Sequence, residues 1–263
     1  TPTLPGSVLA DGGTFAVDAS FTPDSEQLYT GQLCFEISSP CDTTICVDLR
    51  GEGIRSNIYV PQGDLTFGKT YYCAEDTLGL TIYSVGPVDL EVDSIRIVGP
   101  DAAGFEILSL SQTPPVTLAP GFPAVVDSID VAVRFIPANV PPDGMKMATL
   151  EIYSNDTAQG LIQIPLSGER TSPEIVGPAS VDFSTVIVGQ VGRQRITLTN
   201  TSDDPITIAS PQLGPNFRVA SPLPLVVPAQ GSIEVDLEFL PSDSEMYRDT
   251  LVGSFTLPCD GEL

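Results

Sequence analysis

Hydrophobic and polar residues alternate with a period of two along three separate stretches of the chain. Phe15, Val17, Ala19 and Phe21 form the first, Ile129, Val131, Val133 and Phe135 the second, and Ile233, Val235, Leu237 and Phe239 the third. The positions between them are mostly polar, among them Asp130, Arg134, Glu234, Asp236 and Glu238. Period two with one apolar face predicts a half-buried antiparallel strand in each place. Each run closes on Phe-x-Pro, at Pro23, Pro137 and Pro241. Proline stops a strand because it has no amide hydrogen to give the ladder.

These runs sit inside longer repeated phrases. FTPDSEQLYTGQLCFEISSPCD, residues 21–42, and FLPSDSEMYRDTLVGSFTLPCD, residues 239–260, hold Phe, Pro, Tyr and a closing Pro-Cys-Asp in one register. Upstream, DLTFGKTYYCAEDTLGLTIYSVG (64–86) aligns with SVDFSTVIVGQVGRQRITLTNTS (180–202), laying Phe67 on Phe183. GFEI (104–107) aligns with NFRV (216–219), and Leu49-Arg50-Gly51-Glu52 with Leu166-Ser167-Gly168-Glu169. The period of about 110 residues is the size of an immunoglobulin-like sandwich. Turn signals every 8–12 residues or so agree, as do the 25 Pro and 23 Gly. The fold class predicted is all-β, tandem immunoglobulin-like sandwiches with almost no helix. The units are 1–53, the back half of a repeat; 54–170, a full one; and 171–263, a repeat lacking its last strand. The expectation is an excerpt of a longer array, with completion of broken repeats by neighbouring subunits as the rival.

Composition narrows the function. A hydrophobic fraction of 41% is globular. No apolar run approaches the ~20 residues that cross a bilayer, and no secretory leader is read at the start. The 34 acidic residues against 11 basic ones, net −23, repel phosphate backbones and anionic lipid. No nucleic-acid partner and no membrane insertion are therefore expected. The chain has no His and no Trp. Without His it lacks the usual neutral-pH general base and the commonest zinc ligand. The acidic surface also lacks an Asp-x-Asp-x-Asp-Gly calcium loop. The expectation is a protein that is not an enzyme, with no catalytic, metal or cofactor-binding residue.

Five cysteines occur: Cys34, Cys41, Cys46, Cys73 and Cys259. PCDTTIC sets Cys41 and Cys46 across a tight turn, and a disulfide between them is expected, with Cys34–Cys46 as the rival. Cys259 repeats Cys41, and it is read as unpaired. Cys34 and Cys73 are left unassigned.

The phrases DLTFG, VDFS, ITLTNTSDDPITI, GPNFRV, LVVP and EVDLEFLPSDSEMYRDTL resemble the Hydin-like ASH family of immunoglobulin-like domains. The likeness is closest to the bacterial choice-of-anchor D repeats. It covers essentially the whole chain and departs at Ser84, where the family usually has Asn. The resemblance implies tandem domains in secreted proteins of Bacteroidota and related bacteria, forming stalks, adhesins and matrix components. One further pattern fits that setting. Asp followed by Ser or Thr and then by an aliphatic residue or Thr recurs, with its hydroxyl at Thr43, Thr77, Ser94, Ser128, Thr157 and Thr250. Such triplets number six where about two are expected, and they look like the O-glycosylation signal of exported Bacteroidota proteins. Turn chemistry explains them equally well, since Asp, Ser and Thr favour strand ends. The sequons at Asn155 and Asn200 are weaker signals.

The reading that emerges is a structural component of an extracellular cell-surface stalk, filament or sheath. Its expected partners are protein: neighbouring repeats or further copies of itself. The alternative is an adhesin recognising a glycan or a partner protein.

Overall fold

The structure, a computed structural model, describes residues 14, 16–38, 40–121, 126–255, 259 and 261–262. β1 (Leu28–Ile37) and β2 (Thr43–Glu52) form an antiparallel hairpin that is a sheet of its own. Next come β3 (Ile58–Tyr59), β4 (Leu65–Tyr71), β5 (Asp76–Ser84), β6 (Leu90–Val98), β7 (Phe105–Leu110), β8 (Val116–Leu118), β9 (Ser128–Phe135), β10 (Gly144–Ser154) and β11 (Leu161–Thr171). These nine strands build a sandwich from the sheets β4-β11-β10-β6-β8 and β3-β5-β9-β7.

A second sandwich follows from β12 (Ile175–Val176), β13 (Gly192–Asn200), β14 (Ile206–Ile208), β15 (Phe217–Val219), β16 (Leu225–Val227), β17 (Ser232–Phe239), β18 (Ser254–Phe255) and β19 (Gly261–Glu262). Its sheets are β12-β13-β17-β15 and β16-β14-β18-β19. Among the described residues the only helical pieces are two single 3-10 turns, Ala102–Gly104 and Pro137–Asn139. The fold is all-β.

The alternation at Ile129, Val131, Val133 and Phe135 puts all four side chains into the middle core on β9, none more than 2% exposed. Val235, Leu237 and Phe239 do the same from β17. Each sandwich carries a trio of phenylalanines in mutual contact. Phe67, Phe105 and Phe135 have ring centroids 5.7, 5.8 and 4.9 Å apart. Phe183, Phe217 and Phe239 repeat the arrangement at 5.7, 5.7 and 4.7 Å. Offset and tilted pairs at these distances suit the ring quadrupole and add about 0.5–1.5 kcal/mol each beyond burial.

The repeated Phe-x-Pro…Tyr phrase has a local cause. The Tyr29 ring packs edge-on against Phe21 at 5.4 Å, as the Tyr247 ring does against Phe239 at 5.4 Å. Each hydroxyl then meets the loop behind the proline. Tyr247 Oη lies 2.9 Å from Ser242 Oγ, donates to Asp243 Oδ1 at 2.7 Å and accepts from the Asp243 amide at 3.1 Å. Tyr29 Oη meets Ser25 Oγ at 2.8 Å, accepts from the Ser25 amide at 3.1 Å and donates to Asp24. Asp-Ser in one copy and Ser-Asp in the other serve the same hydroxyl.

One expected strand does not form. Residues 16–23 pair with no other strand, and Val17 and Phe21 are exposed; Phe15 lies outside the described residues. The counterparts of this run, β9 and β17, are each held between two neighbours, β5 and β7 or β13 and β15. No such neighbours flank residues 16–23 among the described strands. Alternation marks a face, but a strand forms only where another accepts its hydrogen bonds.

Candidate functional site

The first feature is the hairpin. Register makes it a copy of β10–β11: Leu33↔Val47 and Gly31↔Leu49 correspond to Leu150↔Ile164 and Ala148↔Leu166. In the middle sandwich Leu150, Ile164 and Leu166 are at most 4% exposed, because the sheet β3-β5-β9-β7 covers them. In the hairpin Ile45, Val47 and Leu49 are 53, 50 and 42% exposed. The same apolar face is covered in one place and open in the other.

The second feature is the junction between the two sandwiches. Cys73, in the turn between β4 and β5, is bonded to Cys259, 186 residues later, with Cα atoms 5.8 Å apart. Beside it the Lys69 ammonium pairs with the Asp203 carboxylate, which also accepts from Gln230 Nε2 at 3.0 Å. The Lys69 hydrogen bond, then the Gln230 one, holds the Asp203 carboxyl below the usual carboxylate range. The same bond to Asp203 raises the Lys69 ammonium. Burial, then the neighbouring Asp204 carboxylate, raises the Tyr71 phenol. The joint between hairpin and middle sandwich is lighter: Arg55 Nε to Glu26 Oε2 at 2.8 Å, and the Gly53 amide to the Gln27 carbonyl at 3.0 Å.

The third is a pair of charge ladders of opposite sign. On β9, Arg134 donates to Glu75 at 2.8 Å and to Glu106 on β7 at 2.6 Å. On β17 the matching position is Glu238, which accepts from Arg193 on β13 at 2.9 Å and Arg218 on β15 at 2.6 Å. Arg218, then Arg193, keeps the Glu238 carboxyl below the ordinary glutamate range. Sequence reading marked Arg134 and Glu238 only as polar interstrand positions. Their inversion could have been seen from the aligned repeats, but which partners they face could not.

The cysteine expectation is corrected. Cys46 pairs with Cys34, not Cys41, because β1–β2 register sets Cys34 directly opposite Cys46 with Cα atoms 4.0 Å apart. Cys41 lies beyond the strand end, exposed and free. Cys259 is bonded, not unpaired, and its partner could not be inferred from spacing because it belongs to another sandwich. Two disulfides fit an oxidising location outside the cytoplasm.

Thr43, Thr77, Thr157 and Thr250 are exposed, whereas Ser94 and Ser128 are half-buried. The structure scatters these hydroxyls and gathers none into a site. Several of the preceding aspartates are turn caps. Asp76 accepts from the Thr77 amide at 2.8 Å, and Asp127 from the Ser128 and Ala119 amides at 2.9 and 3.1 Å. Asp156 accepts from Ile58, Ala158 and Gln159 amides at 3.1, 2.8 and 3.1 Å. Turn chemistry thus explains much of the pattern. Asn200 is fully buried and hydrogen-bonded by both ends of its amide, so its sequon is closed in the fold. Among the described residues no group of three His, Cys, Asp or Glu side chains is placed to hold a metal ion. Among the described residues no helix is long and apolar enough to cross a membrane.

The second sandwich, with its paired sheets and phenylalanine trio, is the part of the chain that a family model matches. Residues 173–253 match the ASH family, abnormal spindle-like microcephaly-associated, ASPM-SPD-2-Hydin. A search of curated proteins finds no match. Among solved structures, a protein of unknown function from Porphyromonas gingivalis is similar at 14% identity, over 78% of this chain and 98% of its own, with a TM-score of 0.31. The E. coli chaperone DraB is similar at 14% identity, over 78% and 95%, with a TM-score of 0.32. The ASH/PapD-like domain of human CEP192 is similar at 11% identity over 44% and 85%, with a TM-score of 0.28.

Proposed function

We propose that this chain is a non-enzymatic structural element of an extracellular cell-surface stalk, filament or sheath, a stretch of a tandem array of ASH-type sandwiches. The observation that carries this reading is the junction: two copies of one sandwich are joined covalently by Cys73–Cys259 and flanked by the Lys69–Asp203 pair. Each sandwich has its own core, so the disulfide is not needed to close either one. Its effect is to fix the angle between them, which is what a load-bearing rod requires. An acidic surface, net −23, keeps such rods apart in solution. The exposed Thr43, Thr77, Thr157 and Thr250 are the hydroxyls open to O-glycosylation. Intact mass before and after chemical deglycosylation reads their occupancy.

An antibody raised against residues 54–170 and viewed by immunogold electron microscopy on the source cells tests the proposal. Label along appendages or an outer layer is the expected result. Label confined to the cytoplasm would sink it.

An adhesin is the second reading, and one observation favours it. Tyr59 and Tyr83 stack at 6.4 Å at a sheet edge, with Tyr59 53% exposed, a small aromatic platform of the kind on which a sugar ring can lie. Binding to a glycan array that is lost in Tyr59→Ala would favour this reading.

A further inference from the structure

We infer that Cys41 is a covalent attachment point for another repeat: it forms a disulfide with a cysteine in the β4–β5-type turn of an immunoglobulin-like unit outside residues 1–263. The sequence PCD occurs in the turn between β1 and β2 and again in the turn between β18 and β19. Register shows that these turns are structurally equivalent. Glu36↔Thr44 and Ile37↔Thr43 close the first hairpin as Ser254↔Glu262 and Phe255↔Gly261 close the second. Cys41 and Cys259 therefore occupy one and the same position in two copies of the unit. At one of them the bond is made: Cys259 reaches the unit before it in the chain and joins Cys73.

In the middle sandwich the equivalent turn lies at the pole where the chain enters that sandwich. Its β10–β11 turn meets the segment that enters from the hairpin, where Ser56 Oγ donates to the Asn155 carbonyl at 3.1 Å and the Ile58 amide to Asp156 Oδ2 at 3.1 Å. By the same placement Cys41 sits at the pole of the hairpin remote from the middle sandwich, the length of a ten-residue strand away, or about 33 Å. The other four cysteines are paired with each other, so none in this chain is left for it. Cys73 of a second copy is also already bonded, which is why the partner must be a unit with an unpaired turn cysteine.

The chemistry is a two-electron oxidation. The Cys41 and partner thiols release two protons and two electrons to a small-molecule disulfide, which leaves as two thiols, and one S–S bond forms. The inference extends the tandem-rod reading but fails separately from it, because it concerns one bond and not where the protein is displayed.

The test is disulfide mapping by tandem mass spectrometry on protein from its native source, alkylated with N-ethylmaleimide before any reductant. The expected result is a peptide containing Cys41 joined to a cysteine outside the present sequence, in a turn that aligns with residues 72–76. Denaturing gels with and without reductant then separate the two sources. A drop in mass on reduction means a second polypeptide, and an unchanged mass means a unit of the same one. Cys41 recovered with N-ethylmaleimide, capped by a small thiol, or joined to Cys34 or Cys46 overturns the inference. Cys41→Ser should remove this linkage alone, leaving Cys34–Cys46 and Cys73–Cys259 in place.

Discussion

Gly168 on β11 lies against the ring of Phe135, so closely that a Cβ there would come within 2.7 Å of the ring carbon Cε1. Gly51 stands in the same relation to Phe21, at 2.8 Å. The two contacts differ in what the ring can do. Phe135 is fully buried in its trio, whereas Phe21 is 51% exposed. Gly168→Ala should therefore destabilise the protein by about 1–3 kcal/mol, the usual cost of overpacking. Gly51→Ala should change it by less than about 0.5 kcal/mol, because the ring can swing into solvent. Urea unfolding of the two variants decides the matter, and equal losses would show that ring mobility is irrelevant here.

Asn200 offers a second contrast. Its Nδ2 donates to the carbonyls of Asp204 and Val227 at 2.8 and 3.2 Å, and its Oδ1 accepts from the Ser202 amide at 2.8 Å. Asn200→Ala would remove the partner of three backbone groups, two of them in buried bonds, a loss of about 2–4 kcal/mol. Ser84, its counterpart, is equally buried, yet its hydroxyl has no partner among the described residues. Ser84→Ala should be neutral or mildly stabilising. Thermal melts of the pair check both signs.

The Glu238 ladder makes a statement about pH. Its carboxyl is held below the ordinary glutamate value by Arg218 and then Arg193. A depressed carboxylate gives stability that is complete above the unfolded value of about 4.3. That stability is lost as pH falls through the lower folded value. Stability measured from pH 6 to about 2 should fall less steeply on the acid side in Glu238→Gln than in the parent. Superimposable slopes would mean the ladder contributes nothing to acid unfolding.

Loss of the Cys73–Cys259 bond should be felt at the joint before it is felt in either core. On the chain-entropy argument a disulfide closing so long a loop contributes up to about 5 kcal/mol. Here much of that loop is already folded into two separate cores. Cys73→Ser should leave each sandwich folded and broaden the distribution of distances between spin labels placed one on each sandwich, read by double electron–electron resonance. An unchanged distribution would show that Lys69–Asp203 and the linker suffice.

Much of the architecture could be read along the chain because a strand's face has a local code. Ile129 to Phe135 and Ile233 to Phe239 alternate, and both runs lie inward on central strands. Residues 15–21 alternate just as well, and their described part forms no strand. The code specifies which face would be buried, not whether a neighbour is there. The hairpin repeats the lesson: Val47 and Leu49 carry the pattern of Ile164 and Leu166, but among the described residues the sheet that covers the latter has no counterpart over the hairpin.

By itself the sequence determined the repeat, the all-β class, the phenylalanines of each core and the acidic surface, because these depend on residue type and short spacing. Only the tertiary structure decided which cysteines meet. Cys34 and Cys46 are partners because register sets them face to face, while the nearer Cys41 lies past the strand end. Cys73 and Cys259 are partners because two separately folded sandwiches bring their poles together. Such contacts depend on where whole sheets sit, and no local pattern in the chain encodes that.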